Sequence, residues 1–188
     1  MANQHPPTSS RRTFLASTAA AGLVAATASG CQKASVSDRQ LVFASLKDAQ
    51  REIDRLTKVA TLRSSTLWSW PQTLTHCAQS IEYSLSGFPA PKSALFQNSV
   101  GTLAFQFFHW RGRMNHDLAE PIPGAEPLDT NNDVTLAMAR LQAAIAAFHK
   151  RTTPLQPHFA YGTLNKPAYE HAHAMHLANH LSAFDVST

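Results

Sequence analysis

The sequence predicts an all-α protein: an antiparallel up-down four-helix bundle with one extra connecting helix. Three observations predict it. Apolar residues recur at helical spacing in five segments, and no segment alternates apolar and polar residues as a strand would. No repeat of 20–50 residues appears. Pro71 and Pro167 fall in the first turns of their segments, and Gly87 ends one. With 188 residues, 44% of them apolar and only 7 glycines, the chain can bury one ordinary core.

The first helix lies in "LVFASLKDAQREIDRLTKVA". Leu46, Ala49, Ile53 and Leu56 form its apolar stripe, and Ser45 with Asp48 could cap its start. The second, "WSWPQTLTHCAQSIEYSLSGFP", has Pro71 in its first turn and Gly87 at its end. Its stripe is Leu74, Cys77, Ile81 and Leu85. A third helix, from about Ser93 to Trp110, is apolar nearly all round and is expected to be well buried, with Phe107, Phe108 and Trp110 in the core. The segment "RGRMNHDLAEPIPGAEPLDTNN" has three prolines and no periodicity. It is a long loop, and loops of that length tend to be functional or mobile. Part of it could cover a cavity, with His116, Asp117 and Glu120 read as solvated. The fourth helix, "DVTLAMARLQAAIAAFHKR", turns Ala137, Leu141, Ala144, Ile145 and Phe148 inward. His149, Lys150 and Arg151 suit its C-terminal dipole. The last helix, "NKPAYEHAHAMHLANHLSAF", starts at an Asn165 N-cap with Pro167 in its first turn.

Residues 1–31 read as an address rather than as fold. "SRRTFLA" resembles the twin-arginine export signal through Arg11, Arg12, Phe14 and Leu15. The uncharged stretch after it is too short and too weakly apolar for a comfortable membrane span. "ASGC" resembles a lipoprotein cleavage box, with Ala28 where leucine is usual. Cleavage there would leave an acylated Cys31 anchoring the protein to a membrane; plain cleavage nearby would leave a soluble product. Residues 32–39 form a tether, and 40–188 the helical domain. The expected location is therefore the periplasm, reached in the folded state through the twin-arginine translocase.

Charge gives no sign of nucleic acid. Of 16 Lys/Arg, two are Arg11 and Arg12, which leaves 14 against 12 Asp/Glu, scattered without a basic stripe. Cys77 is the one cysteine besides Cys31, so no internal disulfide is expected within the domain. It reads as a small buried residue, with metal ligation the alternative because it adjoins His76. A homodimer is one admissible assembly.

The chemistry lies in "EHAHAMHLANH", Glu170 to His180. Taking His173 as zero on a helix, His176 falls about 60° away and His180 about 20° away, while His171 lands nearly opposite, toward solvent. Tyr169, Leu177 and Phe184 mark the same stripe as inward. Burying imidazoles side by side is costly unless they share a cation. His176 and His180, four residues apart, can grip one divalent ion. The HxxxH pair lacks the adjacent glutamate of a zinc protease helix, so that activity is rejected. A third ligand is expected from a facing helix. His76 is the candidate, on a stripe with Thr73, Ser80 and Tyr83 that suits a wet cavity wall. His173 is the rival third ligand or a partner behind the ligands. Tyr83, His173 and His158 are candidate proton carriers.

One histidine in the second helix followed by HxxxH in the last resembles the DinB/YfiT-like superfamily of four-helix bundles. "HCAQSIEYSLSGFP", "EPIPGAEPL" and "PHFAYGTLNKPAYEHAHAMHLANHL" resemble a domain-of-unknown-function branch of it, over about residues 40–184. The resemblance implies metal ligation by His76, His176 and His180, with nickel, zinc, iron or another divalent ion. It also implies a metal-dependent transferase or hydrolase acting on a small molecule. Thiol-transferring relatives use cytosolic cofactors that are scarce outside the cytoplasm. The alternative is a periplasmic protein that holds a metal or ligand without turnover.

Replacing Arg11 and Arg12 together by Lys is expected to stop export. Fractionation of expressing cells checks this, and normal periplasmic recovery of the variant would refute the route.

Overall fold

A computed structural model describes residues 38–186, apart from 60 and 132. Arg11, Arg12, Cys31 and most of the tether lie outside the described residues. The described chain is all-α with a minimal sheet. Its elements are α1 (Leu46–Thr57), β1 (Leu62–Ser64), α2 (Trp70–Ser86), α3 (Ala94–Phe96), a π-helical turn (Gln97–Gly101), α4 (Thr102–Arg111), α5 (Val134–Lys150), α6 (Lys166–Leu181) and β2 (Phe184–Val186).

Local chemistry sets the helix starts. Ser45 and Asp48 form a reciprocal capping box at α1, and Ser69 and Gln72 form one at α2. Asp133 caps α5, and Asn165 caps α6 through the Ala168 N–H at 2.9 Å. The inward stripes follow the helical period. Leu46, Ala49, Ile53 and Leu56 are buried on α1, and Ala137, Leu141, Ala144, Ile145 and Phe148 on α5. On α2, Leu74, Cys77 and Ile81 are buried and Leu85 partly so. Helix α2 packs along α5, α1 along α6, and α2 also meets α6. Each fully buried leucine in this core is worth about 2 kcal/mol of transfer free energy. Cys77 is a core residue whose thiol is pushed up by burial.

Helix α2 is buried on more than its apolar stripe. Thr73, His76, Gln79, Ser80 and Ser84 are also shielded. Gln79 Nε2 donates to the Glu126 carbonyl at 2.9 Å, so the long loop after α4 is tied down onto α2. Met114 and Ile122 of that loop are buried as well.

Two expectations are corrected. A two-stranded antiparallel sheet exists, pairing Leu62 with Val186 and Ser64 with Phe184. Three-residue strands are too short to show alternation. The segment predicted as a buried third helix is peripheral instead. Leu95 and Trp110 are each 80% exposed, Leu103 is 67% and Phe107 52%. Only its other face, with Gly101, Thr102, Ala104, Phe105 and Phe108, turns toward the protein. Composition that is apolar all round does not say which face is covered.

The π turn places Gly101 directly against the Ala160 carbonyl, where a Cβ would overlap that oxygen. The extra residue of the turn is accommodated by Thr102 Oγ1, which donates to the Gln97 carbonyl at 2.8 Å. No described helix is long and apolar enough to cross a membrane.

Gly101→Ala is therefore expected to force the 158–162 segment away from α4, at a cost of about 1–3 kcal/mol. Thermal or urea unfolding would show it as a clear loss of stability. Gly112→Ala would not be a fair control, because Gly112 has φ 68°.

Candidate metal centre

The stripe on α6 predicted to face inward does so: His173 and His180 are buried, and His176 is partly exposed on a cavity wall. Helix α2 brings His76 opposite them, 2% exposed. His76 Nε2 lies 3.1 Å from His176 Nε2. A fourth imidazole joins from the long loop. His116 Nε2 lies 3.2 Å from His180 Nε2. One ring nitrogen from each of His76, His116, His176 and His180 falls within 4.8 Å of all the others.

His116 is thus a correction: it is part of the cluster and not a solvated loop residue. Nothing periodic links it to the other three, and its one signal was a loop long enough to fold back over the helices. Several contacts hold it there. Asn179 Nδ2 donates to the His116 carbonyl at 3.3 Å and lies 3.4 Å from its Nδ1. Thr66 Oγ1 donates to the Leu118 carbonyl at 3.3 Å, and Asp117 Oδ1 accepts from the Ala119 N–H at 2.8 Å.

Trp68 forms the far wall. Its ring lies 4.8 Å from that of His76 and stacks over His180 at 5.9 Å and 10°. Nδ1 of His76 and Nδ1 of His180 are buried without a hydrogen-bond partner. Metal histidines usually donate that nitrogen to a carboxylate or carbonyl. Here the Trp68 indole packs against both rings.

His173 stands apart from the four. It stacks on Tyr169 at 5.3 Å and meets Phe148 edge-on at 5.3 Å. Its Nε2 is buried and unpartnered. Tyr83 packs against Phe88 at 5.7 Å and does not line the cavity. His171, expected in solvent, is half-buried against α4, with its Nδ1 2.7 Å from His109 Nδ1.

Burial keeps these rings neutral. It lowers His76 to about 3, with the nearby His116 adding to the effect. Burial also depresses His116, and it carries His176 and His180 well below the usual imidazole range, helped by the neighbouring histidines. Four neutral imidazoles pointing their Nε2 atoms at one volume fit a transition-metal ion. Around an ion with bonds of about 2.0–2.1 Å, tetrahedral nitrogens sit roughly 3.3 Å apart. The closest pairs are already near that spacing. The four histidines could hold one metal ion, and nothing in their chemistry selects among zinc, nickel and iron.

A cavity of about 220 Å³ opens beside the cluster. His76, His116 and His176 contribute to its wall, with His158 and His173.

A family model described as "Protein of unknown function (DUF1569)" matches residues 35–186. No curated protein matches, and no solved structure matches.

Neutral buried histidines make a pH prediction. Their folded values lie below the ordinary 6.5, so between those values the unfolded chain binds more protons than the folded one. Stability is then complete above about pH 6.5 and is lost as pH falls toward the folded values. For protein stripped with a chelator, urea midpoints at pH 7.5 and 5.0 should differ markedly. A flat profile would mean the rings are not buried as described.

Proposed function

The chain belongs to the DUF1569 family, whose description names no activity, and from the site we propose that it is a metal-binding protein of the DinB/YfiT-like four-helix-bundle type that acts on a small molecule as a transferase or hydrolase. The observation that carries this reading is the meeting of four imidazoles from α2, α6 and the 112–133 loop, three of them on the wall of a cavity. Pairing of α1 with α6 and of α2 with α5 and α6 supports the bundle.

His76, His176 and His180 are the ligands on helices, and His116 is the ligand on a loop. A divalent ion held there supplies Lewis acidity toward a group in the cavity. The chain's own contribution is positioning. Helix α6 fixes His176 and His180 one turn apart on one face. Trp68 excludes water from one side of the cluster. The buried loop residues Met114 and Ile122 keep the other side largely apolar. His158 and His173, each depressed to about 3 by burial, stay neutral near pH 7. Uncharged, each can take part in hydrogen bonding at the cavity through its Nε2.

Arg11, Arg12 and the residues after them support export by the twin-arginine translocase to the periplasm, and "ASGC" supports lipid attachment at Cys31. That route carries folded proteins, so an ion acquired in the cytoplasm would travel with the chain.

One observation favours a second reading, a non-catalytic holder of metal or ligand. A metal closed by four protein ligands is typical of structural sites, and three plus an open position of catalytic ones. His116 decides between them.

Elemental analysis tests both readings. Wild type is expected to carry about one ion per chain, and His180→Ala to lose it. Equal metal in the two would remove the site. His116→Ala is expected to keep the ion if His116 is a displaceable ligand, and to lose it if the metal is permanently closed.

A further inference from the structure

The cavity carries a second set of fixed polar groups, from a part of the chain that supplies none of the four clustered histidines. The 158–162 segment closes on itself: His158 N–H donates to the Gly162 carbonyl at 2.8 Å, and Gly162 N–H returns to the His158 carbonyl at 3.1 Å. Gly162, at φ 74°, supplies the left-handed conformation this turn needs. Inside the turn, His158 Nδ1 accepts from the N–H groups of Ala160 and Tyr161, both at 3.2 Å. A nitrogen that accepts carries no proton, so the proton of the neutral ring sits on Nε2.

The ring cannot readily turn away. It stacks on Tyr161 at 4.2 Å and 7°, and lies 4.6 Å from Phe159 and 5.0 Å from Phe88. The turn itself is anchored from outside. Lys92 N–H donates to the Phe159 carbonyl at 2.8 Å, Gln97 Nε2 donates to the same oxygen at 3.2 Å, and Gly101 abuts Ala160. His158 lines the cavity, and no described residue accepts from its Nε2–H. Lys92, tied to this turn, lines the cavity with no ion pair among the described residues. His173, 2% exposed with an unpartnered Nε2, lines it too. The other charge on the lining, Glu120, comes from the loop that bears His116. Phe108, Met114 and Ile122 supply apolar wall.

We propose that this cavity binds a small carboxylic acid with an apolar or aromatic body, its carboxylate accepting from His158 Nε2–H beside Lys92. The assignment deepens the reading of the neighbouring histidines as a metal centre and rests on it only for the ligand's far end, which faces that centre. A fixed N–H at the wall of a largely apolar cleft is how ligand sites set orientation, and a charged acceptor makes the stronger bond.

Benzoate, benzyl alcohol and benzylamine are the probes, titrated by calorimetry into full-length protein, zinc-loaded and zinc-free. Benzoate is expected to bind about tenfold or more tightly than benzyl alcohol, in both forms. Lys92→Met, a surface change, should weaken benzoate and leave benzyl alcohol unchanged. His158→Phe should weaken benzoate about tenfold or more without altering zinc content. In ¹⁵N-histidine-labelled wild type, the His158 Nε2–H resonance should move on adding benzoate, which reads the contact even if His158→Phe folds poorly. Benzylamine or benzyl alcohol binding as tightly as benzoate would overturn the proposal. So would benzoate binding that needs zinc and ignores both variants. Benzoate binding that persists in protein unable to retain zinc supports the proposal while removing the metal reading.

Discussion

The constraint on which this structure turns is the burial of four imidazoles around one small volume. Water-exposed histidines cost nothing to place; these four give up hydration and cannot all charge together. The pairs His76–His176 and His116–His180 satisfy one nitrogen on each ring, at 3.1 and 3.2 Å. The outer nitrogens of His76 and His180 remain unmatched. A core shaped only for stability would place leucine or phenylalanine there. The protein around the cluster is arranged to tolerate the cost: α2 is buried on its polar side as well as its apolar one, and Trp68 covers two of the rings.

Much of this was legible in the sequence, and the reason is periodicity. The stripes of α1, α5 and α6 and their capping residues are local signals, readable within one or two turns. The same arithmetic put His176, His180 and His173 on one inward face. The finer step, placing His76 opposite them, needed a reason for two helices to share a site, and the chemistry of imidazole supplied it.

What was not legible is equally physical. His116 sits in a segment without period, and only tertiary bonds such as Asn179 to the His116 carbonyl define its place. The role of the 158–162 turn was likewise hidden, because its hydrogen bonds run from a side chain to backbone groups two and three residues on. The face of α4 that carries Leu103 and Trp110 could not be assigned to the interior or the surface from a segment apolar on every side. Short strands such as β1 and β2 leave too few residues for a pattern to register.

Three members of the cluster are mounted on helices, and the fourth on a loop that begins beyond Gly112 and is fastened by a handful of polar contacts. The two kinds of mounting have different opening costs. Loosening α2 from α6 means dismantling the core, whereas peeling back the loop breaks a few polar bonds and uncovers Met114 and Ile122. Were an ion held there, the loop would be the cheaper side to open, since moving it leaves the α2–α6 packing intact.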